Sequence, residues 1–336
     1  MRIFRFVARR LLQLIPVLLG VLVLAFLLVR VLPGDPVRSI LGQNATEEDA
    51  AAARARFGLD QSLWQQFLDY LGGLLTGDFG TSIQSGSSVG SEMALRVGPT
   101  LELVVISVTI ALVVATVLGI WSAKRANRAG DHSVRIFALV GNSVPEFWLG
   151  LVLVLVGYSI LGWFPAPNGR VDPDTGLTPL TGADLVDAVL TANGPAIASA
   201  AAYLVLPVLT LVVGVVAPLL RSVRASALEV LHSESYAAAK AHGLRDRTLH
   251  YGYLLRATLV RLPSLAALVF GTAIGSTVLV EYVYSWQGFG QWALRGLLYR
   301  DYPVVQASVL VIALCYVLVF LIADVVHAIL DPRVRL

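Results

Sequence analysis

Ionisable side chains set inside apolar sequence are where this chain could do chemistry. Four carboxylates, Glu102, Glu146, Glu281 and Asp324, fall in or at the ends of long apolar runs. Such groups are costly in hydrocarbon, so they face protein, water or one another. Asn142 and Ser143 lie just before Glu146, and Asp324 and His327 are i, i+3 neighbours. Two readings are open. Glu146 and Asp324 can be structural partners of arginines at helix ends, or Asn142, Ser143 and Glu146 can line a path for a polar solute. A third, a proton relay in a self-sufficient secondary transporter, needs more embedded carboxylates and usually internal repeats. The carboxylates are few and no repeat is evident.

Other chemistries find no constellation. His132, His232, His242, His250 and His327 show neither H-E-x-x-H nor paired-ligand spacing, and Gly243 breaks the helix between His242 and His250. Asp172, Asp174, Asp184 and Asp187 fit no known calcium loop. Cys315 is the only cysteine, which rules out an intramolecular disulfide and a cysteine metal site. The two lysines, Lys124 and Lys240, follow Ala123 and Ala239, so neither completes a G-x-x-x-x-G-K-[ST] loop. The sequence therefore predicts no catalytic residue, no cofactor and no metal on this chain. ATP-driven work would need a separate subunit.

The elements that position these groups are membrane helices. The 336 residues are 57% hydrophobic and 14% charged, against roughly 25% charged in soluble domains. A helix crosses the hydrocarbon core with ~20 mostly apolar residues. Six runs qualify, at about 11–31, 101–122, 134–161, 200–220, 262–283 and 304–330. A run at 185–200 is shorter and broken by Asn193, Gly194 and Pro195. Pro145 and Pro218 should kink the third and fourth spans.

Basic residues fix the orientation. Seventeen Lys/Arg lie on the side of both termini, seven on the other side, and Arg30 sits at a membrane edge. Both termini are expected in the cytoplasm, with the first span an uncleaved anchor, since no small-residue cleavage site follows it. The outer stretches 32–100 and 161–199 are acidic, as solvated faces usually are. Four regions follow: residues 1–36 as arm and first span, 37–97 as an outer helical segment, 98–330 as the transmembrane core, and 331–336 as a cytoplasmic tail.

The outer segment reads as two short helices. Thr46 with Asp49 three residues on should cap the first, and Gly58 should end it. Asp60 should cap the second, whose Leu63, Trp64, Phe67, Leu68, Leu71 and Leu75 share one face. That face can dock on the core or lie in the lipid interface. The loop 162–196, rich in Pro, Gly and Asp, cannot build a core.

The longest cytoplasmic loop, 221–261, is far larger than topology requires. Residues 226–242 favour a helix. Gly243 should stop it in a Schellman motif, with Leu244 folding back toward Ala239, before a second helix at about 246–260. Ala237, Ala238, Ala239 and Ala241 form a flat patch ringed by Lys240, Arg245 and Arg247. This can be a docking surface or an interfacial hairpin holding anionic headgroups.

At this point the sequence resembles a known family. Ala238, Ala239 and Gly243 fall on the Ala, Ala and Gly of the EAA loop of ABC-importer permeases, with Ala237 at the usual acid position and Leu262-Pro263 as the Leu-Pro that follows. Further motifs occur in the family's order. They are Leu32-Pro33-Gly34-Asp35-Pro36, the stretch 58–82, Thr100-Leu101-Glu102-Leu103 and Pro145-Glu146-Phe147-Trp148. After them come Glu281 to Trp286 with Gly288-Phe289-Gly290, Arg300 to Gln306, and Asp331-Pro332-Arg333. Together they resemble the first permease subunit of dipeptide/oligopeptide ABC importers and cover nearly the whole chain.

The resemblance implies an all-α integral membrane protein of the bacterial inner membrane with type I importer architecture. It implies a coupling helix around Ser235, Tyr236, Ala237, Ala238, Ala239, Lys240, Ala241, His242, Gly243 and Leu244. It also implies a homologous second permease, two cytoplasmic ABC ATPase domains that bind ATP and Mg, an external binding protein and a peptide substrate. Related permeases serve nickel or other small solutes, which stays open as an alternative. Nucleic acid is not expected as a partner.

Overall fold

A computed structural model describes residues 2–31, 46–56, 58–260 and 262–330. The motif at 32–36 and the tail 331–336 lie outside the described residues. The protein is an all-α membrane protein; among the described residues the one β feature is an isolated bridge between Thr81 and Ser88.

Five helices are long and apolar enough to span: α1 (Arg2–Val31), α4 (Val89–Lys124), α8 (Gly194–Leu231), α11 (Leu262–Val283) and α13 (Tyr302–Leu330). The sixth is a broken pair. α5 (Ala129–Ser143) and α6 (Glu146–Leu153, continued by a π-helical stretch, Val154–Ile160) meet at a bend of 100°. The expected third span is therefore not one rod. Pro145, lacking an N–H and holding the preceding residue extended, starts a new helix instead of kinking an old one; Val144 has ψ 125°. α8 behaves differently and runs unbroken through Pro207 and Pro218.

The short run at 185–200 divides between two helices. α7 (Asp184–Leu190) ends before Asn193, whose side chain accepts the Ala196 amide and opens α8. The fourth span is thus longer than its apolar stretch, at 38 residues.

On the outer face, α2 (Glu47–Arg56) carries the expected cap, with Thr46 and Asp49 exchanging hydrogen bonds, and Gly58 follows at φ 64°. α3 (Leu63–Thr76) is capped by Ser62, not Asp60. Ser62 has Gln65 three residues on, and the pair forms a reciprocal capping box. Asp60 has Leu63 at that spacing, which offers no return bond. One part of the α3 face meets α1, with Phe67 edge-on to Phe26 at 5.1 Å, while Leu63, Trp64, Leu68 and Leu75 stay exposed.

α4 and α8 pack along one another as the central pair, with α11 across them and α13 beside α1. Their main core is Leu, Val and Ala with Phe270, Tyr284 and Trp286. α12 (Phe289–Leu298), a short helix between the last two spans, folds back between α11 and α13.

Candidate functional site

The cytoplasmic loop forms two helical pieces. α9 (Glu234–Ala241) starts at Ser233, whose hydroxyl accepts the Tyr236 amide. It ends as the sequence predicted. The Gly243 N–H donates to the Lys240 carbonyl at 3.0 Å and the Leu244 N–H to the Ala239 carbonyl at 3.4 Å, with Gly243 at φ 74°. These are the two bonds of a Schellman stop. α10 follows as three contiguous stretches, Asp246–Thr248, Leu249–Leu255 and Arg256–Leu259, the middle one π-helical. It takes the place of the expected regular helix at 246–260.

α9 has an inner and an outer side. Ala239 is buried and Tyr236 half-buried, whereas Ser235, Ala237, Ala238, Lys240, Ala241, His242, Gly243 and Leu244 are exposed. The inner side joins an apolar cluster of Ile120 and Ala123 from α4, Val223 and Ala227 from α8, Leu254 from α10 and Leu262 from α11, with Tyr236 packed against it. A push on α9 therefore meets three spans through one apolar cluster, and close-packed interiors transmit strain. Within α10, burial and then the Lys124 ammonium hold the His250 imidazole below its ordinary pKa, so its neutral form is favoured.

A buried ion pair stands next to this cluster. Asp131, at the start of α5, is fully buried and accepts two bonds from Arg224 of α8. Ser122 of α4 and the Asn127 amide complete its shell. Asn127 sits at φ 64° and turns its N–H inward. Sequence reading missed this group, because the partners lie in different helices and Asp131 sits in a charged loop. Asp324, by contrast, does pair with an arginine, Arg10 of α1, at 3.1 Å.

Among the described residues, Glu146 pairs with no arginine. It opens α6 at the bend, lies over Gly214 of α8 and faces Ser276 of α11. Asn142 and Ser143 are exposed at the end of α5, and the Ser143 hydroxyl donates to the Leu139 carbonyl at 2.8 Å. The three residues gather at one break between α5 and α6.

The motifs at the outer ends of the spans meet one another. Glu281 of α11 is fully buried and accepts from the Thr100 hydroxyl of α4 and from the Gln291 amide of α12 at 2.8 Å. Thr100 in turn accepts the Phe289 amide at 2.8 Å. The indole N–H of Trp286 donates to the Pro99 carbonyl. At Gly288 any Cβ would collide with the Glu281 carboxylate and Thr100, so glycine is required where the chain turns into α12. Ser82 donates to Asp301 at 2.6 Å, tying the outer segment to the start of α13. Glu102 likewise accepts the Val186 amide at the start of α7. Glu102 and Glu281 thus serve as anchors for returning chain.

In the outer loop, Asp187 accepts from the Leu180, Thr181 and Gly182 amides and the Thr181 hydroxyl. Burial raises its pKa, but these bonds outweigh it and hold the carboxyl below its usual range. Asp184 pairs with Arg170 at 2.9 Å. Among the described residues, no three His, Cys, Asp or Glu side chains group as metal ligands.

The sequence pattern of the binding-protein-dependent transport system inner membrane component matches residues 115–336, and that of its N-terminal region matches residues 3–90. The chain belongs to this family. It is a membrane permease component. It is similar to the di/tripeptide transport system permease protein DppB of Pseudomonas aeruginosa, at 35% identity over 98% of both chains. It is 37% identical to the probable D,D-dipeptide transport system permease protein DdpB of Escherichia coli, over 96% of this chain and 94% of that one. The oligopeptide transport system permease protein AppB of Bacillus subtilis is 32% identical over 98% of this chain and 99% of its own length. In the permease, the residues that carry the family resemblance at the outer ends of the spans are those in mutual contact there.

Proposed function

We propose that this permease is the membrane half through which cytoplasmic ATPases drive uptake of short peptides. α9 is the coupling helix. Its exposed residues, Ser235, Ala237, Ala238, Lys240, Ala241, His242 and Leu244, form the contact with an ATPase subunit, and Tyr236 and Ala239 pass the motion inward. The observation that carries this reading is the two-sided nature of α9, with a flat exposed face of small residues backed by one cluster shared by α4, α8 and α11. ATP and Mg are held by the ATPase partners. A homologous second permease completes the pathway, and an external binding protein delivers the solute. Asn142, Ser143 and Glu146 line that path at the α5–α6 break, where a polar solute finds a carboxyl that no cation neutralises among the described residues. The names of the relatives favour peptides over nickel.

The test uses the full complex in proteoliposomes. With Cys315 replaced by serine, a single cysteine at Ala238 or Ala241 is expected to crosslink to a cysteine on an ATPase subunit. ATPase activity is expected to rise with peptide-loaded binding protein only when this chain is present. Stimulation without this chain, or crosslinking absent at both positions while uptake proceeds, would overturn the reading.

A further inference from the structure

The outer face holds a polar cavity well apart from the α5–α6 break. It has a volume of about 350 Å³ and lies between the outer end of α1, the α2–α3 segment and the start of α13. Arg30 of α1 forms one wall. Its Nε and Nη2 donate to the Gln66 side-chain carbonyl at 3.0 and 2.8 Å, and its Nη1 to the Phe26 carbonyl at 3.3 Å. The guanidinium rests on the Phe26 ring, 3.5 Å from its centroid. All of these partners are neutral. A guanidinium carries five N–H donors, so two have no acceptor among the described residues.

Two more polar groups line the cavity without partners among the described residues. The Gln306 side chain is 5% exposed, and its amide nitrogen, which can only donate, has no acceptor. The Tyr70 hydroxyl is buried and likewise unpaired. Burial pushes the Tyr70 phenol up to about 12, so it keeps its proton to donate. A half-buried cation and two orphaned groups around one space are costly unless something accepts from them. The acidic group on the lining, Asp69, is solvent-exposed at the rim.

The surroundings specify the source of the acceptor. Arg30 ends the apolar run of α1, and Leu24, Leu27 and Leu28 on the turns below it are exposed. α3 flanks the cavity with Leu63, Trp64 and Leu68 also exposed. Apolar side chains and a tryptophan uncovered at the end of a span mark the headgroup level of a bilayer. A phosphate is the anion concentrated at that level.

We infer that this cavity is a binding site for the phosphate of an outer-leaflet anionic phospholipid, clamped by Arg30, Tyr70 and Gln306, with its acyl chains along α1 and α3.

The test is native mass spectrometry of the full permease complex released from nanodiscs of phosphatidylcholine doped with phosphatidylglycerol. Wild type is expected to retain phosphatidylglycerol. Arg30→Gln and Gln306→Leu are each expected to weaken that retention roughly tenfold, as the loss of a charge-assisted bond would, and Tyr70→Phe by less. Gln306→Leu and Tyr70→Phe keep the shape of the site, so they report even if the arginine variant fails to assemble. Soluble glycerol phosphate, added in excess, is expected not to displace the lipid. Equal retention of phosphatidylcholine and phosphatidylglycerol, or unchanged retention in Gln306→Leu and Arg30→Gln, would overturn the site. Displacement by glycerol phosphate would overturn the lipid as its source.

Discussion

Arg224 and Asp131 face each other through two parallel hydrogen bonds, Nε to Oδ1 and Nη2 to Oδ2, both 2.7 Å long. The carboxylate is fully buried and the guanidinium mostly so. This fork joins α5 to α8 beside the cluster that receives α9. Removing one partner leaves a buried charge uncompensated, which costs roughly 3–5 kcal/mol, whereas removing both costs much less. Asp131→Asn and Arg224→Met are each expected to lower the unfolding temperature of the purified complex strongly. The double variant is expected to recover part of the loss. Strictly additive losses in that thermal series would mean the pair is not an energetic unit.

The Glu281 anchor makes a second prediction. Thr100 both donates to Glu281 and accepts from the Phe289 amide. Thr100→Val leaves two buried groups short of a partner and is expected to destabilise by about 1–3 kcal/mol. Gly288→Ala is expected to do worse, because its Cβ has no space against a carboxylate fixed by backbone amides. Denaturant unfolding followed by the summed tryptophan fluorescence reads both. Gly288→Ala being the milder of the two would refute the packing argument.

How much of this was legible depends on the distance over which each feature is encoded. The Gly243 stop and the Thr46–Asp49 cap need only a few neighbouring residues, and both stand as read. The choice of Ser62 over Asp60 was local too, but it turned on Gln65 completing the box, which a search for single capping residues passes over. The apolar runs gave the spans, yet not the 100° bend, since Pro145 permits either a kink or a fresh start and packing decides. Glu281 read only as an awkward charge, and Asp131 was not singled out at all. Their partners lie 181 and 93 residues away in sequence, and only the packed spans bring them together.

Asp187 predicts a pH dependence on the outer face. Its folded pKa is depressed by the amides of Leu180, Thr181 and Gly182. The stabilisation is therefore present above the ordinary carboxylate pKa, about 3.9 for aspartate, and is lost as pH falls through the lower folded value. Proteolysis of the 176–190 loop by an acid-active protease is expected to stay slow at moderately acid pH and accelerate below the ordinary range. Asp187→Asn is expected to be cut faster throughout, with the acid step gone. A wild-type loop whose protection does not change on acidification would contradict this assignment.

Substitution at Gly243 would test the proposed coupling separately from folding. Its φ of 74° suits glycine, while open space surrounds the position where a Cβ would stand. Substitution therefore meets backbone strain without a clash, about 1–2 kcal/mol for an ordinary L-residue in this region. Asparagine tolerates the conformation best, alanine less, and a β-branched residue least. The series Gly243→Asn, Gly243→Ala and Gly243→Val should grade the loss of the two bonds that hold Leu244 and the end of α9. Membrane insertion is set by the spans and should not change. Peptide-stimulated ATPase activity of the reconstituted complex is expected to fall in that order, with basal ATP hydrolysis retained. A valine variant that transports like wild type would show that the shape of this stop is not what the partner reads.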